Sequence, residues 1–338
     1  MVLIQNYPLA VLFTVLAMIC WGSWANTQKL IQKTWRFELF YWDMVIGLLL
    51  LATLAAFTVG SMGDAGRPFI EDIRQADTGS IVYAALGGVV WNLGNLLLVA
   101  AIAVAGMSVG FPIGGGIAWV LGIVINYILI ILDKGKPEDN SSLLFSGVAV
   151  IVVAIVLSMM AYRRLATEQK KPTRKGILLS VFAGLLIAFF YGLVVKSLDN
   201  TYVAGGTGTL TPLTAVFFFA VGVAVSTFIF NPFFMAYPVQ GSPVKMIEYA
   251  RGDLRTHLVG VLGGSIWALG MVLSFMAAGA AGPAISYALS NAAPVVAILW
   301  GVLVWKEFAG APRGTDRLLV IMFIAYLIGL ALITYSKV

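Results

Sequence analysis

Apolar runs of about twenty residues, separated by short polar breaks, recur along the whole chain, at roughly 8–27, 40–60, 80–105, 108–132, 143–162, 176–197, 211–231, 257–279, 284–305 and 317–336. Each run is long enough to carry a helix across about 30 Å of hydrocarbon, and none shows the alternating pattern of a membrane strand. The pattern predicts an all-α membrane protein with ten transmembrane helices. The residues before the first run include no Lys or Arg and no small-residue cleavage site follows it, so it reads as a span rather than a signal peptide.

Within the third run, Gly87-Gly88-Val89-Val90-Trp91-Asn92-Leu93-Gly94 returns 176 positions later as Gly263-Gly264-Ser265-Ile266-Trp267-Ala268-Leu269-Gly270. The ungapped match extends to Gly106 and Gly282, with identities at Gly87, Gly88, Trp91, Leu93, Gly94, Leu97, Ala101, Ala105 and Gly106. Five runs lie on each side of the basic stretch Arg163 to Lys175. The expected organisation is therefore a first five-helix repeat at 1–165, a basic cytoplasmic linker at 166–175 and a second five-helix repeat at 176–338. Loops after the odd-numbered runs hold fifteen Lys and Arg, whereas the other face holds six: Arg67, Arg74, Lys134, Lys136, Lys196 and Lys337. This asymmetry puts both termini on the non-cytoplasmic side. Five helices per half then invert the second repeat relative to the first, an arrangement suited to alternating access.

Composition agrees with the pattern. With 60% apolar residues, 11% charged residues and a mean hydropathy of +0.96, the chain has more apolar surface than a soluble core could hide. The net charge of +6 follows from the basic loops, and nucleic acid is not an expected partner. One Cys, one His and the absence of nucleophile or nucleotide motifs argue against an enzyme, a metal site or a cofactor. The partners implied are a small-molecule solute and the lipid bilayer, with proton coupling and facilitated diffusion both open.

The segments Cys20-Trp21-Gly22-Ser23-Trp24, Trp91-Asn92-Leu93-Gly94-Asn95, Gly106-Met107-Ser108-Val109-Gly110 and Leu299-Trp300-Gly301-Val302-Leu303-Val304-Trp305-Lys306-Glu307 resemble the drug/metabolite transporter superfamily. Within it the chain is similar to the ten-helix branch of rhamnose–proton symporters, glucose/ribose porters and ureide permeases. The resemblance covers nearly the whole chain and implies uptake of a small polar solute, often with a proton, across a bacterial inner membrane. The expectation is import of a monosaccharide such as ribose, rhamnose or glucose, with a ureide, nucleobase or nucleoside as the alternative. Export of drugs or metabolites ranks below both, because no Asp, Glu or Arg falls in the middle of a span to bind a cationic drug.

A neutral solute needs hydrogen-bonding groups and flat apolar faces. The runs supply Trp21, Trp24 and Gln28 at helical spacing in the first, Trp91 with Asn95 one turn on and Asn92 beside them in the third, and Trp119 and Asn126 in the fourth. Tyr191 in the sixth run, Trp267 in the eighth, and Tyr287 and Asn291 in the ninth complete the candidate substrate-binding set. The competing reading of these residues is packing: asparagines bonding between helices and tryptophans retained by duplication. Trp91 and Trp267 are placed near the outer third of their runs. Asp43, after Phe40-Tyr41-Trp42, is the proton-coupling candidate, against a plain helix-start charge; the resemblance to ureide permeases carries a similar Asp in this region. His257 is expected at the interface, Glu307 as a solvated partner of Lys306, and Lys196 snorkelling. Gly110-Phe111-Pro112-Ile113-Gly114-Gly115-Gly116 predicts an unwound start to the fourth helix, with close helix packing as the alternative.

Overall fold

The computed structural model describes residues 2, 4–31, 35–63, 66–105, 107–137, 140–165, 173–199, 206–239 and 241–337, with backbone alone at 103, 105 and 107–112. Gly106 and linker residues 166–172 therefore lie outside the described residues, as do the side chains at 110–112 of the glycine-rich segment. Among the described residues ten helices are long and apolar enough to cross a membrane. They are α1 (Tyr7–Leu30), α2 (Phe37–Phe57), α3 (Thr78–Ala105), α4 (Met107–Lys134), α5 (Ser141–Leu165), α6 (Arg174–Ser197), α7 (Pro212–Ala236), α8 (Leu254–Ala281), α9 (Pro283–Val304) and α10 (Thr315–Tyr335). The chain is a multi-pass, all-α membrane protein.

Local chemistry sets the helix ends. Asn6 accepts from the Leu9 N–H to open α1, Thr173 from Gly176 to open α6, and Asp253 from Thr256 to open α8. Between α8 and α9 the chain turns at Gly282, whose φ of 87° suits a residue without a Cβ, and Pro283 starts the next helix where no N–H is needed.

Two elements depart from the expected spans. The first helix is α-helical only to Ser23 and continues as a 3₁₀ turn from Trp24 to Leu30. At three residues per turn Trp24 aligns with Thr27, so Gln28 leaves the face it was expected to share with Trp21 and Trp24. The expected unwinding at the start of α4 is also absent, since its backbone is α-helical from Met107. The break lies instead in α9, which runs from Pro283 to Ser290, interrupts at Asn291–Ala293 and restarts at Pro294. Pro294 has no N–H for the Ser290 carbonyl, and its ring would clash there. The glycines of α4 serve packing: a Cβ on Gly114 would meet Leu98 Cδ1 at 2.7 Å and the Ser180 carbonyl at 3.0 Å.

Helix pairing follows a simple rule. α3 packs on α6 and α8 on α1; α4 packs on α6 and α9 on α1; α2 packs on α8 and α7 on α3; α2 also crosses α7, and α5 crosses α10. Raising every helix number by five, counting past ten to one, returns the same pairs, as exchange of two equivalent halves requires. The close crossings obey it as well. Gly47 meets the Val261 carbonyl and Gly222 the Ala85 carbonyl, while Gly88 meets Phe219 and Gly264 meets Met44, each too closely for a Cβ. Ala85 and Val261 are 176 apart, like Gly88 and Gly264.

Candidate functional site

Trp91 is the fourteenth of the 28 residues of α3, and Trp267 the fourteenth of the 28 of α8. Both therefore sit halfway along their helices, deeper than the outer third expected. Their rings touch, with centroids 4.1 Å apart, so the repeat-related tryptophans meet each other at the centre of the bundle. Trp21 stacks on Trp267 at 5.9 Å and donates its indole N–H to the Trp267 carbonyl at 3.0 Å. Phe219 stacks on Trp267 from the other side at 5.7 Å. This buried aromatic cluster contains no ionisable group.

Neutral polar clusters flank it. Toward the α1–α2 connection, the Tyr41 hydroxyl donates to Asn92 Oδ1 at 2.6 Å, and the Asn92 amide donates to Ser226 Oγ at 2.8 Å, Thr227 Oγ1 at 3.0 Å and the Val223 carbonyl at 3.2 Å. Asn92 is thus fully engaged in joining α2, α3 and α7, which favours packing for this residue. Asn95 is bound more loosely, donating to Tyr41 at 3.3 Å. Near the α8–α9 turn, the Tyr191 hydroxyl lies 3.2 Å from both Ser274 Oγ and Ser286 Oγ, its ring stacks on Phe275 at 4.4 Å, and Tyr287 meets it edge-on at 5.0 Å. Tyr287 donates to the Ala118 carbonyl at 2.8 Å, and Trp119 donates to Ala288 at 3.0 Å, tying α9 to α4.

Some acceptors in the walls are unsatisfied. Asn126 donates to Gly122 at 2.7 Å, but its buried Oδ1 has no hydrogen-bond partner, a costly state away from water unless a guest fills it. Asn291 donates to the Tyr287 carbonyl at 3.1 Å across the α9 break. Beside that break a small cavity of about 20 Å³ is lined by Trp119, Ser158, Asn291 and Tyr326, and the Tyr326 hydroxyl is buried without a partner. A larger recess of about 360 Å³ opens by Arg36, Phe37, Glu38, Leu96, Val99 and Phe234. One turn deeper on the same faces of α2 and α3 lie Tyr41 and Asn92, so this recess points toward the polar cluster.

Of the expected site residues, Trp21, Trp91 and Trp267 come together, as do Tyr191 and Tyr287. Asn92 and Asn95 share one network, whereas Trp119, Asn126 and Asn291 line the walls between α4 and its neighbours. Trp24 and Gln28 belong to neither polar cluster. Sequence reasoning missed Tyr41, Ser226, Thr227, Ser274, Ser286 and Tyr326. Their signal was available, since hydroxyls within apolar spans seek partners across helices.

Asp43, buried in α2, lies against His257: Nδ1 sits 2.9 Å and 3.0 Å from the two carboxylate oxygens, and the Tyr249 hydroxyl donates to Asp43 at 2.6 Å. Burial, then the bond to Asp43 and its charge, hold the Tyr249 phenol above its ordinary range. The expected interfacial role for His257 thus gives way to a specific contact. Glu307 similarly pairs with Lys29 rather than with Lys306. Lys196 lies over the Tyr83 ring at 5.7 Å. Among the described residues no group of three His, Cys, Asp or Glu could hold a metal ion.

A sequence pattern describing ureide permeases matches residues 40–175 and 163–336. The chain belongs to the ureide permease family. Family membership makes it a transporter of small solutes, and the matched segments contain the Asp43 contact and every candidate residue except Trp21, Trp24 and Gln28. Ureide permease 1 and ureide permease 2 of Arabidopsis thaliana are 25% and 27% identical, each aligning over 100% of this chain and 99% of its own. A putative sugar uptake protein of Lactococcus lactis is 23% identical over 77% of this chain and 88% of its own. A solved crystal structure superposes with a TM-score of 0.62 over 98% of both chains, at 15% identity, which places this family member in a known fold.

Proposed function

We propose that this permease imports a small, neutral, polar metabolite by alternating access, and that a ureide is the preferred solute. The contact of Trp91 with Trp267 supports this reading most strongly. It puts a flat aromatic surface midway along two symmetry-related helices, with uncharged hydrogen-bonding clusters on either side and no central carboxylate. A planar, amide-rich ring suits such a surface, because its faces stack while its edges donate and accept hydrogen bonds. The sequence expectation put a monosaccharide first; relatives named ureide permeases that align over the entire chain reverse that order. A monosaccharide remains the second reading, favoured by the sugar uptake relative.

In this reading residues 1–165 and 176–338 are two inverted repeats joined by a basic cytoplasmic linker, a division supported by the exchange of helix pairs. Both termini face away from the cytoplasm of a bacterial cell, and a proton moves with the solute. Uptake into proteoliposomes tests the proposal, using allantoin, ribose, rhamnose, glucose and nucleosides with and without a pH gradient. Saturable allantoin uptake that outpaces the sugars is the expected result. Export of organic cations without uptake of any neutral solute would overturn it.

A further inference from the structure

Two helix crossings that the repeat makes equivalent carry different chemistry. Gly47 of α2 meets Val261 of α8, and Gly222 of α7 meets Ala85 of α3. One helical turn before these contacts, the first crossing carries Asp43 and His257, and the second carries Phe218 and Ile81. The two crossings begin at opposite faces of the bundle, because α2 and α8 start at the basic α1–α2 and α7–α8 connections whereas α3 and α7 start at the other side. At this position the first crossing is ionisable and the second apolar, while the ion pairs of the opposite face lie off the crossing, where Arg67 bridges Asp72 and Asp199 and Asp72 accepts from the Thr211 N–H that opens α7.

The bridge is closely built. Asp43 is 1% exposed, and a Cβ on Gly260 would collide with it, so glycine is what lets α8 reach the carboxylate. His257 arrives from the first turn of α8, and Tyr249 from the short helix Met246–Tyr249. Trp35 meets the imidazole edge-on at 5.7 Å and closes the cluster from the α1–α2 connection. The other charged groups nearby are Asp253 and Arg255 ahead of His257, and the Arg36–Glu38 pair ahead of α2. α7 contributes neutral Asn231 and Met235.

We propose that Asp43, His257 and Tyr249 form a proton-binding lock on the α2–α8 gate, at a position that is apolar in the α3–α7 crossing. The inference rests on the transport reading above and gives its proton a place and a task. As a carboxylate, Asp43 accepts from both the His257 Nδ1–H and the Tyr249 O–H and holds the two halves together. A proton added to one carboxylate oxygen removes the charge and turns that oxygen into a donor, so the charge-assisted bonds from the imidazole and the phenol are lost and the halves are held less tightly. Acid at this face then opens the gate.

Paired spin labels at Ile46→Cys and Leu254→Cys test the lock in a Cys20→Ser background, both label sites being exposed and the native chain having one cysteine. The expected result is a label distance that lengthens by several Å as the pH is lowered, and that is long at every pH in Asp43→Asn. If Asp43→Asn does not fold, His257→Gln carries the test by displacing the pH at which the distance changes. A distance independent of pH in the native sequence, or a pH response retained in Asp43→Asn, would overturn the lock. Allantoin counterflow in proteoliposomes separates this from the transport reading. Exchange that proceeds while the distance ignores pH fails the lock alone. A pH-dependent distance without exchange of allantoin or any sugar fails the transport reading alone.

Discussion

α4 and α9 occupy equivalent places in the two halves, yet they break the rules of local propensity in opposite senses. α4 carries the glycine-rich segment at 114–116 and stays helical, whereas α9 has a single glycine and breaks at Asn291–Ala293. Packing explains both. The small residues of α4 allow α6 to approach at Gly114 and Gly184, and that contact holds the helix together. In α9 Pro294 removes a backbone hydrogen bond that no neighbour can return. A glycine in a membrane helix thus speaks first of a close neighbour, and a proline of a freed carbonyl. The helix pairs exchange between the two halves, and in the proposed reading the side chains that depart from that exchange contact the solute.

The largest effect should come from breaking the shared plan. Gly88→Ala and Gly264→Ala each drive a Cβ into a backbone carbonyl of the crossing helix, so each should cost about 3 kcal/mol or more and lower the melting temperature in detergent to a similar extent. A large effect in one half and none in the other would deny that the crossings are equivalent.

Next in size are the central rings. Trp267 contacts Trp21, Trp91 and Phe219, whereas Trp91 contacts Trp267 and Phe219. Trp267→Ala should therefore reduce transport roughly tenfold or more, and Trp91→Ala somewhat less, as losing one aromatic stacking surface implies. Uptake assays at matched protein levels would show the ranking.

The two asparagines of α3 sharpen the difference between packing and solute contact. Asn92→Ala removes bonds to two neighbouring helices and should cost about 1–2 kcal/mol of stability, a loss visible as a lower melting temperature. Asn95→Ala and Asn291→Ala should leave expression normal and reduce uptake a few-fold. Native uptake by both would return them to a packing role. The smallest effect belongs to Gly116→Ala, where a Cβ would meet only Ile155 at 4.0 Å and α4 would gain about 1 kcal/mol of helix propensity. Unwinding of α4 as a functional need would show there as lost transport.

Much of this architecture was legible in the chain. The run lengths marked ten spans, and the copy of Gly87–Gly94 at Gly263–Gly270 located the two crossing glycines and the two central tryptophans. Their depth was not legible, because the apolar runs blur into their flanks and a boundary shift of two residues at each end moves a midpoint. The Asp43–His257 contact was hidden for another reason: it joins residues 214 positions apart through a crossing whose register is set by Gly47, Gly260 and Gly264. Helical periodicity could pair Tyr287 with Asn291 but not Tyr191 with Ser274, since only packing between α6 and α8 brings those together. The 3₁₀ turn after Ser23 likewise has partners far along the chain: Trp300 of α9 donates to Ser23, and Trp305, just past the end of α9, donates to Asn26.

The central claim, that the Trp91–Trp267 contact at the junction of the halves is where a neutral polar solute is moved, is tested most directly by counterflow of labelled allantoin in proteoliposomes. Native protein should exchange allantoin saturably, with Trp267→Ala folded but at least tenfold slower, as loss of a stacking surface requires. Exchange at the native rate by a folded Trp267→Ala variant would contradict the account.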